Sequence, residues 1–462
     1  MGRALNNALR EYYESLKNKK VYFLGAGISH KQLIERFVSY GATVTLCDIR
    51  PKDKLGAFLN DLGDIEIELQ LGEGYLNRLG DADIIFRTPG IDYTKAEIQR
   101  AVAVGITVTS EIEMFFNFCP CLSIGITGSD GKTTTSSVIA AVLKNSGYTV
   151  WLGGNIGRPL FPIIDEINEN DIAVVELSSF QLISMRKSPN IALITNISPN
   201  HLDHHKDMQE YIDAKRNILL HQSANDIAVL NEDNAITKGL AGDVVGELRY
   251  FSRNRVENGS YIENNTILSA KHGSVSPVML LDSLIIPGEH NKDNINAAYA
   301  VTTGLVKDEV FIKTANSFSG VEHRIEFVCE VNGIKWYNDS IATSPTRTIA
   351  GLCSFGQKIV LIAGGSDKGL SYAPLADYLN EHVKCVFLSG PTASSIADVI
   401  TNSNGSTKIV FTKNLTDSVE RAYNYAEPGD IVMLSPASPS FDSYSGFEER
   451  GRHFKQLVNA LS

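Results

Sequence analysis

The chain has 462 residues, with 42 Lys and Arg against 53 Asp and Glu, and a net charge of −11. That length exceeds one ordinary hydrophobic core, so two or three domains are expected, and the acidic balance argues against a nucleic-acid or anionic-membrane partner. No apolar stretch is long enough to span a bilayer, the polar N-terminal segment lacks a secretory core, and the cysteines lack zinc-type spacing; a cytoplasmic protein with reduced, buried thiols is expected.

In chain order, VYFLGAGIS reads as a strand that turns at Gly25-Ala26-Gly27 into a helix. The next strand, ATVTLCDI, ends at Asp48, which makes a Rossmann-like βαβ start. His30 stands where a dinucleotide fingerprint has its third glycine, so a nucleotide-like ligand is favoured over NAD. Arg50 is either a phosphate or base ligand or a solvated surface arginine. DADIIFRTPGI reads as a strand ending in a Pro-Gly turn, and a first domain over 1–109 follows.

A second domain, 110–319, contains CLSIGITGSDGKTTTSSVIAAVL. A buried strand over 122–126, a Gly/Ser/Asp loop, then Gly131-Lys132-Thr133-Thr134 opening a helix, is the layout of a phosphate-binding loop. In that helix Val138, Ala141 and Val142 fall on one face. The match to Gly-x-x-x-x-Gly-Lys-Ser/Thr is not strict, because Ile126 occupies the first glycine position. Lys132 would add a point charge to the phosphates and Thr133 would ligate a bridging Mg²⁺. Asn155 in GGNIG either bonds a ligand or caps the turn. DIAVVE is a buried strand ending in Glu176, an acid placed like a magnesium-binding Walker B carboxylate.

A further strand ends at Asn196, before His201, Asp203, His204 and His205, which suggest either a metal site or a helix start. Lys215 lies in a helix, where a lysine is ordinarily a solvated charge. The segment 225–287 reads as short strands and turns. Asn291 and Asn294 lie three apart on one helical face, as a lone pattern better read as N-terminal polarity. From 320 to 462 the runs KIVLIAGG, KCVFLSG, KIVFT and DIVMLS alternate with helical stretches, giving a second parallel α/β sheet. The long loop SPASPSFDSYSGFEERG is expected to close over a ligand.

TGSDGKTT, VELSSFQL, NHLDHH, HNKDN, HRIE, NDSIATSP and SPASPSFDSYSGFEERG, in this order, resemble the Mur ligases over all three domains. The last motif and NDSIAT resemble the D-glutamate-adding members. The resemblance implies a Rossmann-like N-terminal domain, a central P-loop ATPase-like domain and a C-terminal Rossmann-like domain. It implies a monomeric ATP-dependent amide ligase of peptidoglycan precursor synthesis, which joins D-glutamate to UDP-N-acetylmuramoyl-L-alanine through an acyl phosphate, with two Mg²⁺ ions.

Carried over residue by residue, Gly128, Asp130, Gly131, Lys132, Thr133 and Thr134 match the ATP phosphate loop, and Asn291 and Asn294 the adenine side. Arg324 and Asp339 match residues for ATP phosphate and ribose. Thr133, Glu176, His201 and Lys215, the last as a carbamate, match metal ligands, with Lys132, His201 and Lys215 catalytic. Gly27, Ile28, Arg50, Gly90, Asn155 and His201 match positions around the sugar nucleotide. Thr343, Lys368, Ser440, Phe441 and Phe447 match the D-glutamate pocket. Ile341 in NDSIAT departs from the lysine of several relatives. The competing reading is a phosphate-loop ATPase or nucleotide-sensing regulator, which would turn over ATP without an amino acid.

Overall fold

The computed structural model describes residues 7–199, 205–403 and 405–461. The chain builds three α/β sheets in succession, and its contacts divide them between two units, Met1–Leu281 with Asp293–Thr314, and Asp282–Lys292 with Ala315–Ser462. The first two sheets belong to one unit and the third to the other.

The first sheet contains β1 (Lys20–Leu24), β2 (Thr43–Asp48), β3 (Glu68–Leu71), β4 (Ile84–Arg87) and β5 (Thr107–Thr109), all parallel, in the order β3-β2-β1-β4-β5. Val21, Phe23, Val44, Leu46 and Phe86 fill one core cluster and Tyr22, Leu24, Cys47 and Ile85 another. That split is the two-residue alternation of strands covered on both faces. The turn after β1 and the helix Ile28–Ser39 confirm the βαβ start. His30 is fully buried: its Nδ1 lies 2.8 Å from the Gly25 carbonyl and its ring meets Phe23 edge to face.

The second sheet has nine strands in the order β14-β13-β12-β11-β10-β9-β6-β8-β7. They are β6 (Leu122–Thr127), β7 (Val150–Gly154), β8 (Ile172–Glu176), β9 (Ile191–Ile194), β10 (Ile227–Asn231), β11 (Glu247–Ser252), β12 (Asn258–Glu263), β13 (Thr266–Lys271) and β14 (Ser274–Leu280). β7 through β12 pair in parallel across the sheet, and β12, β13 and β14 form an antiparallel meander at its edge. The helix Lys132–Asn145 buries Val138, Ile139, Val142 and Leu143; Ala141, expected on that face, is only partly covered. β9 ends at Ile194, two residues short of the expected Asn196, because the Thr195 and Asn196 side chains turn to the phosphate loop.

The third sheet orders β15 (Glu326–Val331), β16 (Ile334–Asn338), β17 (Ile359–Ala363), β18 (Val383–Leu388), β19 (Lys408–Phe411) and β20 (Ile431–Leu434) as β15-β16-β20-β17-β18-β19. β15 pairs antiparallel with β16 in a hairpin, and the other pairs of this sheet are parallel. Three cysteines depart from the expectation of buried thiols: Cys353 is exposed, and Cys119 and Cys329 are only partly covered.

One side chain joins the first sheet to the segment after β8. Arg87, the last residue of β4, is 2% exposed. Its Nη1 donates to the Ile91 carbonyl at 2.7 Å and the Thr88 carbonyl at 3.3 Å, and its Nη2 to the Phe180 carbonyl at 2.8 Å and Ser184 Oγ at 3.1 Å. The guanidinium fork therefore fixes two loops at once, a task a lysine point charge cannot perform.

Two predictions follow from these buried groups. Arg87→Met strands acceptors on both loops and should cost on the order of 3 kcal/mol, read as a lower urea midpoint; Arg87→Lys should recover less than half of it. An unchanged midpoint in Arg87→Met would contradict the clamp. Burial holds the His30 imidazole down to about 4, against an ordinary value of 6.5. The unfolded chain takes up a proton that the folded chain refuses, so His30's contribution is fully present above about pH 6.5 and is lost as the pH falls toward 4. In denaturation series across that window, His30→Gln should flatten the slope; an unaltered slope would assign it to other groups.

Candidate active site

The C-terminal ends of β1, β2 and β4 carry the residues matched to a sugar nucleotide. Asp48 is buried; it accepts from the Ala26 N–H at 2.8 Å and binds Arg50 through both carboxylate oxygens at 2.9 and 2.7 Å. Those bonds, against the cost of burial, hold its carboxyl down to about 2. Asp48 thus ties the glycine turn to Arg50 instead of standing open to a ribose. Gly27 precedes the helix whose first residue, Ile28, is 87% exposed, and Gly90 lies in the loop clamped by Arg87. An uncovered isoleucine at a sheet's carboxyl edge offers an apolar face to a flat ligand.

The phosphate loop lies between β6 and the helix Lys132–Asn145. Gly128 has φ +150°, and a Cβ there would stand 1.9 Å from Thr195 Oγ1, so only glycine fits. Thr195 Oγ1 donates to the Asp130 carbonyl at 2.6 Å, and the Asn196 amide brackets Asp130, accepting from its N–H at 3.0 Å and donating to its carbonyl at 3.2 Å. Ser129 Oγ meets Tyr211 Oη at 3.0 Å and donates to the Ser198 carbonyl. Asn294 Oδ1 accepts from Thr135 Oγ1 at 3.3 Å and would lie 2.3 Å from a Cβ at Gly131. Asn291, one turn earlier, donates to the Pro287 carbonyl at 2.6 Å. Lys132, Thr133 and Thr134 form the first turn, where helix N–H groups point outward.

Two lysines converge on this loop. Lys132 Nζ donates to the Gly128 carbonyl at 2.9 Å and the Ser129 carbonyl at 3.0 Å. Lys215 Nζ donates to the same Gly128 carbonyl at 2.8 Å and to Thr127 Oγ1 at 3.3 Å, and lies 4.7 Å over the Tyr211 ring. Lys215 is 2% exposed, far from the solvated charge that a helical lysine ordinarily is. Burial, then the Lys132 charge, push its ammonium well below the ordinary lysine value.

Glu176 ends β8 in register with Ile126 of β6. Its Oε1 accepts from Asn155 Nδ2 at 2.8 Å, while Oε2 is buried with no hydrogen-bond partner. An orphaned carboxylate oxygen beside a phosphate loop fits a Mg²⁺ ligand, since a hard cation would satisfy it. Among the described residues no three His, Cys, Asp or Glu side chains cluster to hold a metal by themselves. His201, with Asp203 and His204, lies outside the described residues. His205 is not free for a metal: Nε2 meets Ser179 Oγ at 2.9 Å, Nδ1 meets Glu210 Oε1 at 3.0 Å, and the ring stacks on Phe180.

The other unit carries the residues matched to the amino acid and to part of ATP. Asp339 is buried, accepting from Ser435 Oγ at 2.7 Å and the Ile325 N–H at 3.3 Å; burial pushes its carboxyl up to about 7. Arg324 is exposed, in a turn whose neighbours His323 and Ile325 both have positive φ. The SPASPSFDSYSGFEERG loop is pinned in its first half. Ser438 Oγ meets Tyr372 Oη and Thr392 Oγ1, the Ser366 N–H donates to the Pro439 carbonyl, and Ser440 is buried. Its second half is open: Phe441 is 66% exposed, with Lys368 Nζ 5.7 Å over its ring. Phe447 opens the last helix and accepts from Ser340 Oγ at 2.8 Å. The Thr343 N–H donates to the Ile341 carbonyl, as does Arg347 Nη1.

Sequence reading missed the residues that hold these loops. Thr195, Asn196, Tyr211, Ser179 and Arg87 do so in one unit. In the other, buried Arg450 donates to the Ser340, Ser438 and Pro439 carbonyls and to Ser340 Oγ. The available signal for Arg87 was a charge at the end of an apolar run, since it follows Ile-Ile-Phe; Arg450 stands among charged residues, which gave no such signal.

Three Mur ligase descriptions match successive parts of the chain. The Mur ligase MurD-like N-terminal domain matches residues 19–110, the Mur ligase middle domain 126–302, and the Mur ligase glutamate ligase domain 323–438. The UDP-N-acetylmuramoylalanine–D-glutamate ligase of Acetivibrio thermocellus is 48% identical over 464 residues, covering 99% of this chain and 100% of that protein. The enzyme of the same name from Clostridium botulinum strain 657 is 44% identical over 458 residues, covering 98% and 99%. In fold, the chain is similar to the UDP-N-acetylmuramate–alanine ligase of Thermotoga maritima, with a TM-score of 0.55 at 19% identity over 96% of this chain and 100% of that one. With its phosphate loop, its strand-end Glu176 and full-length matches at this identity, the chain belongs to the Mur ligase family, among the D-glutamate ligases.

Proposed function

We propose that the protein is the ATP-dependent ligase that joins D-glutamate to UDP-N-acetylmuramoyl-L-alanine. The observation that carries the reading is the phosphate loop with two lysines on the Gly128 carbonyl beside the orphaned Glu176 oxygen. A carboxylate is a poor electrophile at neutral pH. Transfer of the ATP γ-phosphoryl to the precursor's carboxylate gives an acyl phosphate and ADP. The D-glutamate amine then adds to the acyl carbon, and phosphate leaves as the amide forms.

In this reading Lys132, the helix N–H groups and the loop of Gly128, Asp130, Gly131, Thr133 and Thr134 hold the ATP phosphates. Asn291 and Asn294 take the adenine side, and Arg324 and Asp339 serve phosphate and ribose. Two Mg²⁺ ions would be held by Thr133, Glu176, His201 and carbamylated Lys215, and would supply charge neutralisation. Burial and Lys132 favour the neutral Lys215 amine, the form that adds to carbon dioxide with loss of a proton. Gly27, Ile28, Arg50, Gly90 and Asn155 contact the sugar nucleotide. Lys368 pairs with the acceptor's side-chain carboxylate, Thr343 and Ser440 offer hydroxyls, and Phe441 and Phe447 form walls. The domains are 1–109 for the sugar nucleotide, 110–319 for ATP and 320–462 for the amino acid.

Lys132→Ala should lower kcat at least about a hundred-fold in a folded protein, because it removes charge where the transferring phosphoryl group develops it. Lys215→Ala should be inactive and partly rescued by a short carboxylate, whereas Lys215→Arg should not be. Near-normal turnover in either alanine variant would remove that lysine from the site. ADP release with saturating ATP and the muramoyl precursor should require D-glutamate and not L-glutamate, L-lysine or meso-diaminopimelate. Lys368→Ala should raise KM for D-glutamate about 10- to 100-fold with little change for the precursor. Turnover preferring another acceptor would move the protein to a sister activity, and acceptor-independent ATP hydrolysis would favour a regulator.

A further inference from the structure

The helix Glu111–Phe118 ends on Cys119, whose N–H donates to the Phe115 carbonyl at 2.8 Å. Pro120 follows, then Cys121, and β6 begins at the next residue. The two Sγ atoms stand 3.6 Å apart, and Cys119 Sγ faces the Cys121 carbonyl at 3.5 Å. Two sulfurs at this separation touch without a bond, so the pair is a dithiol, and closing it would draw the sulfurs to about 2 Å. Cys119 is half-buried and Cys121 is 8% exposed, so a reagent reaches Cys119 first. The Cys121 thiol, directed at Cys119, holds the Cys119 thiol below its ordinary value; that bond, with burial, pushes Cys121 up. Cys47 and Cys385 are buried in other strands and Cys353 is exposed elsewhere. The ligase chemistry uses no thiol, so this pair lies outside it.

We propose that Cys119 and Cys121 form a modification site that takes low-molecular-weight disulfides as substrates and closes to an intramolecular disulfide. The Cys119 thiolate attacks one sulfur of the small disulfide, forming a mixed disulfide and releasing one small thiolate. Cys121, giving up its proton, attacks Cys119 Sγ and expels the second. The protein's two thiols lose two electrons and two protons, and the small disulfide is reduced to two thiols. Pro120 fixes one backbone torsion of the short ring in advance.

The test uses the full chain carrying Cys353→Ser, treated with oxidised glutathione, quenched with N-ethylmaleimide and analysed by mass spectrometry. The peptide holding both cysteines should carry neither maleimide nor glutathione, should lack two hydrogens, and should regain both alkylation sites after dithiothreitol. Adding Cys121→Ser should instead trap a lasting mixed disulfide on Cys119. The proposal is overturned if folded protein keeps both thiols alkylatable while unfolded protein closes the disulfide. It is equally overturned if glutathione stays on Cys119 with Cys121 present. Neither result depends on ligase turnover, so the two readings can fail separately.

Discussion

The carbonyl oxygen of Gly128 receives both Lys132 and Lys215, and the surrounding site is arranged around that crowding. Two ammonium groups on one acceptor repel, and the one that is 2% exposed bears most of the cost. Lys215 donates to a carbonyl and a hydroxyl, and among the described residues no carboxylate accepts from it. The nearby acid, Glu176, spends one oxygen on Asn155 and keeps the other buried and unpaired. The Lys132 charge, a Lys215 amine that burial holds toward its neutral form and the unpartnered Glu176 oxygen are the groups that the proposed ATP phosphates and cation would engage.

Two buried arginines solve the same mechanical problem in the two units. Arg87 and Arg450 each fork into carbonyls and a serine hydroxyl, without a carboxylate in hydrogen-bond reach. Burial lowers both to about 10, so both remain charged at neutral pH. A guanidinium with neutral acceptors leaves its Nη donors for loop carbonyls, and those loops hold residues matched to ligands: Gly90 beside Arg87, Ser440 beside Arg450. Each arginine thus gives irregular backbone a fixed shape that a hydrophobic contact would not specify.

The sheets were legible because their central strands are buried and read as short apolar runs between turns: DIAVVE, IALI, KIVLIA and DIVML each became a strand. The phosphate loop was legible because its residues are contiguous. What escaped was long-range. Nothing local marks Thr195 or Asn196 as partners of Asp130, or Tyr211 as the partner of Ser129, because those bonds form only when β6, β9 and the helix Met208–Leu220 come together. Lys215 looked like surface charge for the same reason. The His-rich run invited a metal reading, yet His205, its one described histidine, is occupied by Ser179 and Glu210.

The missing first glycine of the phosphate loop is explained by the same long-range contacts. Ile126 is fully buried inside β6 and in register with Glu176, so the strand continues where a longer loop would already have turned. The turn comes at Gly128 instead, leaving fewer residues to curl around an anion. A shorter loop has fewer N–H groups of its own and less capacity to hold its shape. The end of β9 supplies what is missing, with Thr195 and Asn196 gripping Asp130 from both sides. The proposed nucleotide cradle is therefore held by two adjacent strand ends rather than by one glycine run. A motif defined along a single stretch of chain then matches it only in its second half, Gly131-Lys132-Thr133, where the helix alone sets the geometry.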